Sequence, residues 1–192
     1  MVAPLVFAHR AEDSESVLRI TAAFAVFCVL SGAVYMLNDI LDVDADRVHP
    51  VKRNRPIASG RLSVPAAKRA LIVMLACALG GAVGLGWAFA GMGLGYFMLN
   101  VSYSLRLKHI PFIDVCAIAA GFVLRIAGGA LAIDVTLSPW LTACTFLLAT
   151  FLALGKRKHE LVSAGDSGAA QRKVLASYNL KGVTHAMWGL AA

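Results

Sequence analysis

Residues 20–37, ITAAFAVFCVLSGAVYML, carry no charge, and residues 38–46, NDILDVDAD, follow them directly with four carboxylates in nine positions. A bilayer-spanning helix needs about 20 largely apolar residues. The first string therefore reads as a helix in lipid and the second as its polar tip. Working outward, residues 70–105 contain no charge and are long enough for two spans. Residues 135–155 form another uncharged run, and 110–133 is apolar except for Asp114 and Arg125. The whole chain is 59% hydrophobic and 15% charged, with a mean hydropathy of +0.72. Soluble domains run nearer ~45–50% apolar and ~25% charged, so lipid is the solvent for most of this chain.

The net charge of +7 is not spread as nucleic-acid binding would require. Seven of the 18 Lys and Arg residues lie between Arg47 and Arg69, two are Arg106 and Lys108, and six lie between Lys156 and Lys181. The turns around Ala88–Gly93 and Asp134–Ser138 have none. Such alternation is the mark of the positive-inside rule, so loops at about 42–64, 106–110 and 156–181 are expected to face the cytoplasm. Cys28, Cys77, Cys116 and Cys144 lie singly inside apolar runs, without the close spacing of a zinc or redox site. They read as small hydrophobes. His49, His109 and His159 fall in the polar turns without metal-ligand spacing and read as surface residues.

The expected fold is an all-α, polytopic transmembrane helical bundle. It forms one domain over 1–192, with about six spans and the start of another. Residues 1–9 read as the end of a helix. Further helices are expected over about Ser16–Asp42 and Pro65–Trp87, then from a glycine-dense break (Gly84, Gly86, Gly91, Gly93, Gly95) to Leu107. Two more follow over about Pro111–Ile133 and Pro139–Gly155, then a short amphipathic piece over Ala169–Tyr178. Gly80, Gly81 and Gly84 fit close helix packing. Both ends fall inside apparent spans, so the sequence reads as part of a longer chain, truncated at both ends.

The chemistry gathers at residues 38–55. Asn38, Asp42 and Asp46 are spaced four apart, and Asp39 lies three before Asp42, so a continuing helix puts all four on one face. Carboxylates stacked in this way repel unless a cation lies between them. A few hard oxygen ligands, completed by water and phosphate, describe a Mg²⁺–diphosphate site. The plainer alternative is a set of solvated aspartates that ends a span. Arg47, Lys52, Arg53 and Arg55 follow within ten residues and favour the first reading, because bases beside a metal-binding acid cluster grip phosphate oxygens. Arg61, Lys68 and Arg69 are equally suited to lipid headgroups. Asp114 and Arg125, eleven residues apart, lie too far along one helix to pair. Intramembrane charge costs ~2.5–3.5 kcal/mol on insertion scales and usually faces a cavity. Asp114 is near the cytoplasmic end with a short route to water. Arg125 is deeper and is expected to face a cavity and hold a substrate phosphate.

Asn38–Asp46 resembles the NDxxDxxxD motif of the UbiA prenyltransferase superfamily, intramembrane helical enzymes that bind prenyl diphosphates through Mg²⁺. The longer string NDILDVDADRVHPVKRNRPIASG, residues 38–60, is similar to the decaprenyl-phosphate phosphoribosyltransferase branch. So are YSLRLKHIPFIDVCAIAAGFVLRIAGG, residues 103–129, and LGKRKHEL, residues 154–161. The chain departs from the pattern in lacking an RPxQWxKN-like opening segment and the last helices of a nine-helix bundle. Where prenyl-diphosphate users carry a second Asp-rich motif, it has Lys156, Arg157, Lys158 and Glu160.

The resemblance implies a transferase of a bacterial inner membrane with its site on the cytoplasmic side. It would move 5-phosphoribose from phosphoribosyl pyrophosphate (PRPP) to a polyprenyl phosphate, releasing pyrophosphate. Asp39, Asp42 and Asp46 are the expected catalytic residues and, with Asn38, the ligands of Mg²⁺. Lys52, Arg53, Arg55, Tyr103, Lys108, Asp114, Arg125, Lys156 and Arg157 are the expected substrate-binding residues. Homo-oligomerisation is left open. Two alternatives keep the membrane bundle: transfer of a prenyl group from a prenyl diphosphate to an aromatic or other small acceptor, and a cation or phosphate carrier.

Overall fold

The computed structural model describes residues 1–164 and 178–191, and all regular structure among them is helical. In chain order the helices are α1 (Ala3–Phe7), α2 (Ser14–Leu41), α3 (Val43–Val48), α4 (Val64–Leu85), α5 (Trp87–Leu105), α6 (Ile113–Ala132), α7 (Pro139–Ala164) and α8 (Leu180–Ala191). Single 3₁₀ turns lie at Lys52–Asn54 and Leu107–His109. Helix starts follow local chemistry. Asp13 caps α2 by accepting from the Glu15 amide and, at 2.6 Å, from the Ser16 hydroxyl. Ser63 caps α4 just before Pro65, which a first helical turn tolerates.

Four helices are long and apolar enough to cross a membrane: α2, α4, α6 and α7 over Pro139–Val162. The chain is an integral membrane protein. The sequence leads one to expect about six spans. Helix α5 has 19 uncharged residues, but Asn100, Ser102, Tyr103 and Ser104 lower its hydropathy, while α1 and α8 have only 5 and 12 residues. Two boundaries also differ from expectation. The glycine-dense break reduces to Gly86 alone, whose φ of +124° lets α4 and α5 meet at one residue, while Gly91, Gly93 and Gly95 lie inside α5. Helix α7 runs on to Ala164 rather than ending near Gly155, because Leu154 and Arg157 are buried at helical spacing and Arg157 bonds Glu160 one turn on. The expected piece over 169–178 lies outside the described residues except for Tyr178.

Contacts fix the helix directions. A Cβ at Gly81 would stand 3.0 Å from Val26, and one at Gly32 would meet Met74, so α4 runs antiparallel to α2. Gly93 faces Leu30, Tyr96 faces Ser31 and Ser104 bonds Asn38, so α5 runs parallel to α2. Helix α6 returns antiparallel to both, with Gly121 against Tyr96 and Gly128 against Phe27 and Phe89. The core joins Phe27, Leu30, Val34, Phe89 and Tyr96 to alanines of α2, α4 and α6. Small residues at the crossings let the backbones approach, which is how helices hold one another in lipid. A methyl at Gly128 would press to 3.2 Å on the Phe27 ring. All four cysteines are exposed on the bundle's outside, as small hydrophobes in lipid. This threading puts the tip of α2, the α5–α6 turn and the last turns of α7 at one end of the bundle. The first two expected basic loops and the basic turn of α7 at 156–158 therefore meet there.

Candidate active site at the basic end of the bundle

The Asp-rich tip is a helix with one break. Helix α2 stops at Leu41, and Asp42 sits at φ −97°, ψ 9° before α3 begins. Helical hydrogen bonding nonetheless continues, from the Asp42 amide to Asn38 O at 2.9 Å and from the Asp46 amide to Asp42 O at 2.8 Å. Two turns apart, Asp39 and Asp46 converge on one donor, Nη1 of Arg55, at 2.9 and 2.8 Å. Asp46 is 3% exposed, and Lys52 Nζ stands 4.0 Å from its second oxygen. Asp42 leaves this pair for Lys108 Nζ, at 2.9 and 3.1 Å. Asn38 accepts from the Ser104 hydroxyl, and Asp44 pairs with Arg47 in solvent. Of the four residues expected on one face, Asp39 and Asp46 meet, while Asp42 and Asn38 are drawn to α5 and the turn after it.

Among the described residues no group of three or more His, Cys, Asp or Glu is gathered as a metal cage. What the tip offers is two carboxylates held on a common cation, the Arg55 guanidinium, beside a second base. Hard anionic oxygens already converging on positive charge suit a divalent ion that takes the rest of its shell from water and phosphate. Arg53 is exposed in the same turn. His49 uses Nδ1 to accept from the Val51 and Lys52 amides, so it shapes this loop.

A second charged cluster lies below the α5–α6 turn. Asp114, expected to have a route to water, is fully buried. Its Oδ2 accepts from Arg157 Nε at 2.9 Å and its Oδ1 from the Tyr178 hydroxyl. Arg157 also donates to Glu160 at 2.6 Å. Asp114 is buried because α7 extends far enough to deliver a guanidinium, which replaces the water a carboxylate would otherwise seek. Tyr178 in addition accepts the Phe112 amide at 2.7 Å, holding that residue at φ +64° where α6 begins. Burial and the neighbouring Asp114 charge hold the Tyr178 phenol well above its ordinary range.

Arg125 lies deeper. Its guanidinium donates to the Tyr96 hydroxyl at 2.6 Å and lies over the Tyr96 and Phe122 rings. It lines a cavity of about 190 Å³ with Tyr35, Asn100 and Tyr103. Tyr103, Ile118 and Phe122 are shared with a larger apolar groove of about 440 Å³ running along α7 to Lys156 and Arg157. Lys156 is exposed at its rim. Thus Asn38, Asp39, Asp42, Asp46, Lys52, Arg55 and Lys108 form one cluster, Tyr103, Arg125 and Lys156 line the cavities below, and Asp114 and Arg157 are spent largely on each other. Sequence reasoning missed Ser104, Asn100, Tyr96 and Tyr178. Tyr96, Asn100 and Tyr103 do form a polar stripe at helical spacing inside an uncharged span, which is a readable signal. Tyr178 has none.

Residues 1–192 match the UbiA prenyltransferase family throughout. The chain belongs to that family. Two UbiA relatives are decaprenyl-phosphate phosphoribosyltransferases. The protein from Corynebacterium glutamicum is 36% identical over 86% of this chain and 51% of its own length. That from Mycolicibacterium smegmatis is 35% identical over 91% of this chain and 54% of its own. The chain thus spans about half the length of the curated relatives it matches. A UbiA homologue from Archaeoglobus fulgidus, solved with DMAPP and Mg²⁺, superposes with a TM-score of 0.78 at 20% identity, covering 93% of this chain and 64% of that one. At that identity the likeness establishes the UbiA helical fold.

Proposed function

We propose that this protein transfers 5-phosphoribose from phosphoribosyl pyrophosphate to a polyprenyl phosphate, with Mg²⁺, on the cytoplasmic side of a bacterial inner membrane. The observation that carries the reading is the meeting of Asp39 and Asp46 on one cation beside Lys52. Likeness to two decaprenyl-phosphate phosphoribosyltransferases supports the choice of donor and acceptor. Clustering of the basic turns at this end of the bundle supports its cytoplasmic orientation.

Asp39 and Asp46 would hold the metal, with Asp42 and Asn38 beside them. Bound there, Mg²⁺ supplies positive charge next to the leaving pyrophosphate. Arg55 and Lys52, released from the carboxylates, turn to the diphosphate oxygens, and exposed Arg53 adds to the same field. Lys108 stays close enough to Asp42 to guide a phosphate arriving from the α5 side. The acceptor's tail fits the apolar groove between α5, α6 and α7, and Lys156 meets its phosphate at the rim. The bond from ribose C1 to the pyrophosphate oxygen breaks as a bond from C1 to a lipid phosphate oxygen forms. That oxygen is anionic at neutral pH, so no general base is needed.

The test is to supply membranes containing the protein with Mg²⁺ and either labelled PRPP plus polyprenyl phosphate or labelled geranylgeranyl diphosphate plus small acceptors. Label from PRPP should enter the lipid fraction, and EDTA should abolish it. Label entering only from the prenyl diphosphate would replace this reading with prenyl transfer. Asp46→Asn should lower the transfer by about 10²–10³, the usual loss when one stabiliser of developing charge is removed.

A further inference from the structure

Three arginines of the bundle, the first of them half-exposed and 4.0 Å from Glu15, are answered in three ways. Arg19 donates to the terminal carbonyls of α6 and α4, to Ala132 O at 2.6 Å and to Leu85 O at 3.4 Å. Arg157 is enclosed by the carboxylates of Asp114 and Glu160. Among the described residues, Arg125 donates to the hydroxyls of Tyr96 and Ser31, lies over two aromatic faces, and has the Met1 amine as a charged neighbour of the same sign. Among the described residues no carboxylate lies within ion-pair distance of it. An uncompensated guanidinium inside a bilayer is costly unless it faces a cavity or meets an anion. Arg125 faces one, and that cavity is polar on two sides.

The helix faces that carry these polar residues lead along the sequence toward the Asp-rich tip. On α2, Ser31, Tyr35 and Asp39 are spaced four apart and fall on one face. On the parallel helix α5, Tyr96, Asn100 and Tyr103 form the matching stripe, and Ser104 beyond them bonds Asn38. From Ser31, beside Arg125, to Asp39 is eight residues, a rise of about 12 Å. A positive group thus stands at the foot of a polar ladder whose head holds the acidic pair. An isoprenoid tail is better served by the more apolar groove along α7. A ligand with phosphoryl groups at both ends of a pentose is elongated in the same sense, and the reach of the arginine side chain covers part of that rise.

We propose that Arg125, with Tyr96 and Ser31, is the anchor for a phosphomonoester, namely the 5-phosphate of the donor, and so determines specificity for a sugar diphosphate over a prenyl diphosphate. This rests on the reading of the donor as PRPP. The lipid phosphate acceptor is also a phosphomonoester. The ladder from Asp39 favours the donor, since it joins the two ends of one molecule.

The test is calorimetric, on the detergent-solubilised chain with Mg²⁺, using ribose 5-phosphate, inorganic pyrophosphate and farnesyl phosphate as separate probes. Arg125→Gln should weaken ribose 5-phosphate at least tenfold, the effect of losing a charged hydrogen-bond donor, and leave pyrophosphate and farnesyl phosphate unchanged. Arg125→Lys keeps the charge without the fork and should fall between. Unchanged pyrophosphate binding shows that the variants are folded. Should Arg125→Gln misfold, the Lys variant and Tyr96→Phe carry the same comparison. Wild-type affinity for ribose 5-phosphate in the variants, or a loss confined to farnesyl phosphate, overturns the proposal. PRPP that fails to bind the wild-type chain while pyrophosphate binds defeats the donor reading itself, a result distinct from either.

Discussion

Arg157 and Arg125 are both arginines of the helix bundle, yet their surroundings differ in kind. Arg157 is 2% exposed, with Asp114 at 2.9 Å and Glu160 at 2.6 Å, and a third residue, Tyr178, closes the cluster through Asp114. Arg125 has hydroxyls, ring faces and a cavity. A buried charge whose counter-charges come from the fold ties helices together and has little left for a ligand. A charge without them is an unfinished interaction that a ligand can complete. The difference is legible only in the partners, because the sequence places Arg157 in a basic turn and Arg125 in an apolar helix and names a counter-charge for neither.

Mutations can break this contrast. Asp114→Ala leaves Arg157 with Glu160 alone and the Tyr178 hydroxyl without its acceptor, and should destabilise by about 3–5 kcal/mol, read as a lower Tm in detergent, whereas Arg125→Gln should leave Tm nearly unchanged. If both fall equally, the two sites are equally structural and the contrast fails. Tyr178→Phe removes a donor from Asp114 and leaves the Phe112 amide unpaired, for a loss of about 1–3 kcal/mol. It should also change the alkaline limb of stability. The phenol holds its proton more tightly folded than unfolded, where tyrosine ionises near pH 10. Its contribution is therefore complete below about pH 10 and is lost as pH rises beyond that, and Tyr178→Phe should lack this decline.

Ser31→Asp would turn Arg125 into a paired arginine like Arg157. It should cost ribose 5-phosphate about tenfold in affinity, roughly 1.4 kcal/mol, while pyrophosphate binding stays constant. At the bottom of the scale, Arg47→Ala breaks an exposed pair with Asp44 and should shift stability by less than about 0.5 kcal/mol. A larger change would give that loop a role that its exposure does not provide.

Much of the site was readable before any tertiary contact was known. Asn38 to Asp46 announce an acidic helix tip, and Lys52 to Arg55 announce bases beside it, because both sets are local. The sharing-out of those charges was not readable. A continuous helix would keep Asp42 with Asp39 and Asp46, but the break at Asp42 and the approach of Lys108, 66 positions away, separate it. The end of α7 was misread because Lys156 to Glu160 look like loop when taken alone. They are helical because Arg157 is anchored to Asp114, 43 positions earlier.

The amino-acid order alone determined that this chain lives in a bilayer and roughly where its apolar helices run. Those features follow from hydrocarbon excluding charge over roughly 20-residue lengths, a rule that acts on neighbours in sequence. Only the folded bundle decided which acid meets which base, and which arginine is left facing a cavity. Such pairings depend on the rotation and depth of helices relative to one another, and those are set by packing among Phe27, Phe89, Tyr96 and the small residues between them.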